Sequence, residues 1–491
     1  MRICLATRHA VSAFTPLALL YLKAALVDHA GMPADDVAIV ECDPDDAPDV
    51  IADAIVAAKP DAVGLSCYMW NGIDLMAAAA DVKRRLPSVK IVAGGPEVGP
   101  IAEEVLARHV CLDVVVKSEG EVPMIEMARR WQTGQGIDDV AGIWQRDATG
   151  AIREHANAVI VGDLNTLSSP HMREYTSTHR RRVCLETQRG CVFRCSFCFY
   201  NKDLSIRNRR FDLDRVKEEI AYWLEHDIKE LYLMDPIFNL NAPRAKEICR
   251  FIAERNHRKI KIHTEVWAEF IDDEMAALMK AASFDNLEIG LQTTDESSLQ
   301  VIDRRLKVAP FQNGIRSLLK HGLEFELQVI AGLPMDTLET FCASLDFAAE
   351  LRPTWLTAFT LLVLPGTEMW KQAKALQLEY EPEPPYRIIS NATMSRAEVE
   401  DVRRMALLVR SLWTSRAIQT LSREEGWTYS RLVRRWMQWE DQAPAERMGP
   451  ITAEKVLAFI DEHCAGEGIP AGLYMAMGRI EAGADFETRV N

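Results

Sequence analysis

The sequence predicts an α/β protein with a doubly wound parallel sheet over residues 1–140, a second run of strand–helix units over 182–380, and a helical segment over 381–491. Three observations carry this reading. Short apolar runs alternate with stretches of helical spacing, once over 1–140 and again from 182 to 364. A glycine-bearing stretch, with Gly134, Gly136, Gly142, Gly150 and Gly162, separates the two. The proline-rich Glu381-Pro382-Glu383-Pro384-Pro385-Tyr386 closes the second, and helical text follows it.

Length and charge bound what such a chain does. Its 491 residues suffice for roughly two to four domains, each with its own core. Eleven cysteines spread over that length make a poor disulfide framework. A tight group of them points instead to metal binding or redox chemistry in a reducing compartment. The net charge of −15 argues against a general nucleic-acid binder, which presents a basic stripe. The apolar run after Met1 ends at Arg8 and His9, too short for a signal peptide. No run of about 18 apolar residues occurs to span a membrane. The expectation is a cytoplasmic protein with neither a membrane nor a nucleic-acid partner.

Taken in order, 2–6 reads as a strand and 16–30 as a helix, with Leu19, Leu22, Ala25 and Leu26 on one face. Strand 37–41 precedes helix 49–58, which stops at Lys59-Pro60. Strands 62–66, 90–93 and 113–117 then alternate with helices 73–86, 101–108 and 122–131. In such sheets ligands bind beyond the carboxyl ends of the strands. Three of those ends stand out: Ser66-Cys67-Tyr68, Gly94-Gly95-Pro96-Glu97 and Ser118-Glu119-Gly120-Glu121. Glycine lets the backbone approach a flat ligand closely. None of the three forms the Gly-x-Gly-x-x-Gly dinucleotide fingerprint. Residues 141–181 read as a hairpin around Trp144 and a linker.

Strand 183–188 opens the second unit. Helix 212–226, strand 230–234 and helix 243–256, begun at Pro243, follow. Further strands fall at 259–267, 286–292, 325–330 and 357–364. Between the first strand and the first helix lies the stretch from Arg189 to Tyr200, with Cys191, Cys195 and Cys198 separated by three and then two residues. Thiolates ligate iron–sulfur clusters, and close spacing lets one loop wrap one cluster. Three ligands to a four-iron cluster leave one iron open. Zinc would want a fourth Cys or His nearby, and the next histidine is His226. Two basic runs flank the loop, Arg180 to Arg182 and Arg207 to Arg210. They read as solvated or ion-paired faces, or as a positive rim for an anionic substrate.

The pattern Cys-x3-Cys-x-Phe-Cys resembles the signature of the radical S-adenosylmethionine (radical SAM) enzymes. Residues 1–140, with Gly94-Gly95-Pro96-Glu97 and Ser118-Glu119-Gly120-Glu121, resemble the cobalamin-binding domain of the B12-dependent branch of that family. The resemblance implies a Rossmann-like cobalamin-binding domain at 1–140, a hairpin and linker at 141–181, a partial (βα)6 radical SAM barrel at 182–380 and a helical C-terminal domain at 381–491. It implies a [4Fe-4S] cluster on Cys191, Cys195 and Cys198, with SAM (S-adenosyl-L-methionine) on the open iron and Phe197 near the adenine. No catalytic residue beyond the cluster ligands is implied.

Barrel sites lie at the C-terminal ends of the strands, which places the implied SAM contacts at Asp235, Glu265, Gln292 and Gln328. Asp235 stands where the family has Gly-Gly-Glu, and a turn cap is its other reading. The implied corrin contacts are Ser66, Tyr68, Gly94, Gly95, Glu97, Glu119, Gly120 and Glu121. The sequence departs from the family in Ser118, where glycine is usual. It also lacks the Asp-x-His-x-x-Gly motif that supplies a histidine to cobalt.

The function so implied is a cobalamin-dependent radical SAM methyltransferase acting on an unactivated carbon through a 5′-deoxyadenosyl radical and methylcobalamin. A cyclase or rearrangement enzyme with the same cofactors is one alternative, and a non-enzymatic iron–sulfur redox protein another. The implied partners are a small-molecule or peptide substrate and an external electron donor of the flavodoxin or ferredoxin kind. Trp413, Trp427, Trp436 and Trp439 in the C-terminal part read as core.

Overall fold

The computed structural model describes residues 1–464 apart from 12–13, 148, 157–159, 176–180, 202–207, 425 and 443–448. Its first sheet is built from β1 (Ile3–Arg8), β2 (Val37–Cys42), β3 (Ala62–Ser66), β4 (Lys90–Gly94), β5 (Val114–Val116), β6 (Ile143–Arg146) and β7 (Ile152–His155), in the order β2-β1-β3-β4-β5-β6-β7. The first five are parallel, and β6 and β7 add antiparallel at the edge. The hairpin expected beside the linker thus extends the sheet.

Successive side chains of a strand face opposite ways, and β1 shows the result. Ile3 and Leu5 enter one core with α1 (Leu17–Asp28) and α5 (Glu121–Gln132). Cys4 and Ala6 enter the other with α2 (Pro48–Ala57), α3 (Gly72–Arg85) and α4 (Ala102–Arg108). Both faces are covered, as a doubly wound sheet requires.

The second unit contains six parallel strands: β8 (Arg182–Leu185), β11 (Glu230–Leu233), β12 (Lys261–Thr264), β13 (Leu287–Gln292), β14 (Phe325–Ala331) and β15 (Trp355–Thr360). Between the first two, β9 (Gln188–Arg189) pairs with β10 (Arg209–Arg210). The six form two three-stranded halves, β8-β11-β12 and β13-β14-β15. Single bridges, Ile262 to Phe284 and Glu265 to Glu288, join them. Helices α6 (Leu213–Glu225), α7 (Ala242–Arg255), α8 (Asp273–Ala281), α9 (Glu296–Val301), α10 (Val308–Lys320), α11 (Leu338–Glu350) and α12 (Glu368–Gln372) connect and follow the strands.

The alternation along the strands is informative. Leu287, Ile289 and Leu291 are buried, while Glu288, Gly290 and Gln292 are only half-buried. Glu230 and Tyr232 alternate likewise with Leu231 and Leu233. A closed barrel fills its interior with branched apolar side chains. This one presents a polar lumen, as a half-open barrel holding a ligand would.

A short pair, β16 (Glu379–Tyr380) and β17 (Ile388–Ser390), follows. Then come α13 (Arg396–Trp413), α14 (Arg416–Leu421), α15 (Tyr429–Asp441) and α16 (Ala453–Phe459). Ser395 and Glu398 form a capping box at the start of α13. Trp413 donates its indole N–H to the Pro353 carbonyl at 3.1 Å, tying α13 to the barrel. Trp413, Trp427, Trp436 and Trp439 are all buried, so these aromatics are core. The end of the expected helical tail, 465–491, lies outside the described residues.

Candidate functional site

The cysteine loop leaves the barrel at the end of β8. Thr187 and Gln188 turn the chain out of the ladder, and Asp235, just beyond β11, holds that turn. One of its carboxylate oxygens accepts the amides of Thr187 (2.8 Å) and Gln188 (3.2 Å), and the other accepts the Thr187 hydroxyl (2.5 Å). Asp235 is 1% exposed, and burial pushes its carboxyl up to about 7 against those hydrogen bonds. These hydrogen bonds give Asp235 the turn-cap role that was the other reading of this residue, at the turn that launches the loop.

Beyond the turn the loop packs against the far half of the barrel. Ser196 donates its amide to the Ile302 carbonyl at 2.9 Å, and Met369 donates to the Ser196 carbonyl at 2.8 Å. Cys191, Cys195 and Cys198 lie within electrostatic reach of one another. Burial, aided by the other two thiols, pushes Cys198 up to about 12. Burial also raises Cys191, with Arg304 opposing. Among the described residues no three His, Cys, Asp or Glu side chains converge as they would around a single ion. A cluster in which each thiolate takes its own iron asks for a wider spacing, and this all-thiol donor set fits it. Phe197 is half-buried against the main core.

Glu265, at the end of β12, has an exposed side chain. Protein nevertheless surrounds it, and burial, then Glu288 and Asp235, push it up to about 8. Open area within a protein-lined space marks the barrel lumen. Gln328 sits there too, its amide 3.3 Å from Glu288. Gln292 follows a bulge in β13 and adopts φ +72°.

The first sheet turns its carboxyl edge toward the same space. Ser66 ends β3, and Tyr68 stacks on Trp70 with ring centroids 4.4 Å apart. Gly95, at φ +106°, passes so close to β3 that a Cβ there would lie 2.5 Å from the Cys67 carbonyl oxygen. Gly94 hydrogen-bonds the Cys67 amide at 2.8 Å. The two glycines thus bring the end of β4 against the end of β3 at the carboxyl edge, where ligands of doubly wound sheets bind. Gly120 precedes α5. His9, the histidine following β1, is engaged 2.8 Å from Glu41.

Three of the implied corrin contacts do other work. Arg189, two residues before Cys191, contacts Glu121 at 2.7 Å and Glu186 at 2.9 Å, and lies 4.0 Å from Glu119. Arg209 grips Glu119 at 2.5 Å. Burial opposes ionisation of Glu119, but Arg209, Arg189 and the Val161 amide hold it below the usual range. Glu97 accepts the Tyr386 hydroxyl. The Glu119 and Glu121 carboxylates thus join the two units, and Glu97 joins the first sheet to the segment before β17. The basic runs are resolved in the same way. Arg182 pairs with Glu230 at 2.5 Å and Arg209 with Glu119, while Arg180 and Arg207 lie outside the described residues.

Between the joined edges stands Tyr200, 45% exposed. Its hydroxyl is raised by burial and then by Glu265, Glu186, Cys198 and Tyr68. Residues from the loop, the lumen and the first sheet therefore meet in one cleft. Sequence reasoning missed Glu186, Arg189, Tyr200 and Arg304. Adjacency to the cysteines was the available signal for Arg189 and Tyr200, and nothing in the sequence pointed to Arg304.

Two family models match the chain: a B12 binding domain over residues 3–128 and the Radical SAM superfamily over 185–348. The chain is 30% identical over 311 residues to a cobalamin-dependent radical SAM methyltransferase, TokK, of Streptomyces tokunonensis, covering 59% of this chain and 45% of the relative. It is 29% identical over 302 residues to the 2-(S-pantetheinyl)-carbapenam-3-carboxylate methyltransferase of Streptantibioticus cattleyicolor, with coverage of 57% and 44%. It is 24% identical over 293 residues to an anaerobic magnesium-protoporphyrin IX monomethyl ester cyclase of Cereibacter sphaeroides, with coverage of 55% and 46%. The matches span just under half the length of these relatives. Among solved structures, the radical SAM methyltransferase TsrM of Kitasatospora setae aligns with TM-score 0.63 at 20% identity, covering 81% of both chains. The cobalamin-dependent radical enzyme OxsB aligns with TM-score 0.67 at 14% identity, covering 98% of this chain and 78% of that one. These two share the fold.

Proposed function

We propose that this chain, which belongs to the cobalamin-binding radical SAM family, is a methyltransferase that places a methyl group on an unactivated carbon of a small-molecule or peptide substrate. One observation carries the reading. The carboxyl edge of the first sheet and the cysteine loop of the barrel face each other, fastened by Arg189 and Arg209 on Glu121 and Glu119. When bound, cobalamin on the one side and a [4Fe-4S] cluster with SAM on the other supply the methyl group and the hydrogen-abstracting radical.

The chain's residues hold these groups and close off water. Cys191, Cys195 and Cys198 are the cluster ligands. Glu265, Gln292 and Gln328 line the lumen for SAM, with Phe197 at the loop. Ser66, Tyr68, Gly94, Gly95 and Gly120 form the ledge for the corrin. Asp235, Glu97, Glu119 and Glu121 act at one remove, by fixing the turn and the interface. Tyr200, between the two sides, is placed to border the substrate. The electron comes from an external flavodoxin- or ferredoxin-like carrier. Among the described residues no helix is long and apolar enough to cross a membrane.

Similarity to the cyclase favours a second reading, cyclisation or rearrangement with the same cofactors. Reconstitution without oxygen, with iron, sulfide, cobalamin, reductant and SAM, tests both. The expected products are 5′-deoxyadenosine and, with substrate, a species heavier by one methylene. Turnover without that gain in mass selects the second reading. A fully loaded protein that never cleaves SAM overturns both.

A further inference from the structure

We propose that Arg304 is a positioning residue that sets the reduction potential of the cluster, by holding a guanidinium against the sulfur of Cys195. The proposal rests on the assignment of Cys191, Cys195 and Cys198 as cluster ligands. Arg304 Nη1 lies 3.7 Å from Cys195 Sγ, within hydrogen-bond reach of sulfur. The side chain arrives from outside the loop, from the connection after α9, on the far half of the barrel.

Two contacts fix it there, and two more fix the ring it rests on. Its Nη2 donates to the Gly290 carbonyl. Its Cζ sits 4.3 Å over the ring of Trp267. Phe193 of the cysteine loop stacks on the same ring, with centroids 4.0 Å apart and planes within 11°. Trp267 is pinned in turn by the buried Asn239, whose amide nitrogen donates to the Trp267 carbonyl at 3.0 Å and whose oxygen accepts the Trp267 amide at 2.9 Å. At Gly290 a Cβ would run into the Gln292 amide nitrogen at 2.3 Å, while Arg304 Nη2 stands at ordinary contact distance, 3.5 Å.

The physical consequence follows from charge. One-electron reduction adds negative charge to the cluster and moves no proton; the electron comes from the external one-electron carrier. A cation and an N–H donor at a ligating sulfur stabilise that added charge, so they raise the potential. Arginine suits the task because its planar fork serves two acceptors and stacks on an aromatic face at once, which lysine does not.

Redox titration of the reconstituted protein, followed by electron paramagnetic resonance, tests this. In Arg304→Gln the midpoint moves to a more negative value. The expected change is about tenfold in the reduced-to-oxidised ratio at fixed potential, ~59 mV for one electron. Arg304→Lys keeps the charge and moves the midpoint less, in the same direction. Arg305→Gln, an exposed neighbour, leaves it unchanged. Equal midpoints in wild type and Arg304→Gln overturn the proposal. Should Arg304→Gln take up no cluster, Arg304→Lys carries the test, and an unshifted midpoint there overturns it. Wild-type protein that binds no iron refutes the ligand assignment itself, which is a separate failure.

Discussion

Asp235 shows how one side chain can serve a site through the turn it caps. Its three donors fix the turn from which the cysteine loop departs. Asp235→Ala leaves two buried amides without an acceptor, and chemical denaturation should show a loss of about 2–4 kcal/mol. The carboxyl carries a second signature. Burial raises its folded value to about 7, above the roughly 3.9 of an unfolded chain. Its folded state therefore holds the proton more tightly, and stability falls as pH climbs through that window. Denaturation at about pH 5 and about pH 8 should show that fall in wild type and a smaller one in Asp235→Asn. Glu265 obeys the same sign at about 8. Because a cation beside it favours the ionised form, SAM affinity should rise from about pH 6.5 to about pH 9. Calorimetry on Glu265→Gln should find that rise flattened.

At the scale of elements, the decisive feature is the fastening of β5 and α5 to the strand end that precedes the cysteines. Arg189 is 13% exposed and Glu121 6%, so removal of one partner leaves a charge stranded in protein. Arg189→Met should cost about 3–5 kcal/mol, read by chemical denaturation. Glu121→Gln keeps a polar partner and should cost less. The ledge is as unforgiving. Gly95→Ala pushes a methyl group into the Cys67 carbonyl at a positive φ. It should abolish cobalamin uptake, read from the visible spectrum, while iron uptake persists.

Across the whole molecule, the alternation of strands and helices was legible from spacing alone, because β1 to β5 and the six barrel strands are parallel and successive ones are separated by helices. Strand 62–66 was placed to the residue. The hairpin was visible, but not its attachment to β5, since antiparallel pairing at an edge leaves no periodic mark. The cysteine loop was legible as a candidate cluster site because thiolate ligation depends on local spacing. The ion pairs of Glu119 and Glu121 were illegible for the opposite reason. Their partners, Arg189 and Arg209, lie 68 and 90 residues away, and local text cannot separate a carboxylate that meets a ligand from one that meets a distant arginine. Replacing Cys191, Cys195 and Cys198 together with alanine should remove iron and SAM cleavage while the circular dichroism of the α/β fold survives.

The two bridges that join the strand triplets have a further consequence. Between β12 and β13 the continuous ladder gives way to a few amides, Ile262 to Ser283, Asp285 to Ile262 and Val266 to Glu288. A cylinder assembled this way has a seam, and thermal fluctuation concentrates where the stitching is thinnest. Deuterium labelling of the native protein should reveal two slowly exchanging islands with a faster line between them. Glu265 and Glu288 stand on opposite banks of that line, so whatever occupies the lumen would suture them.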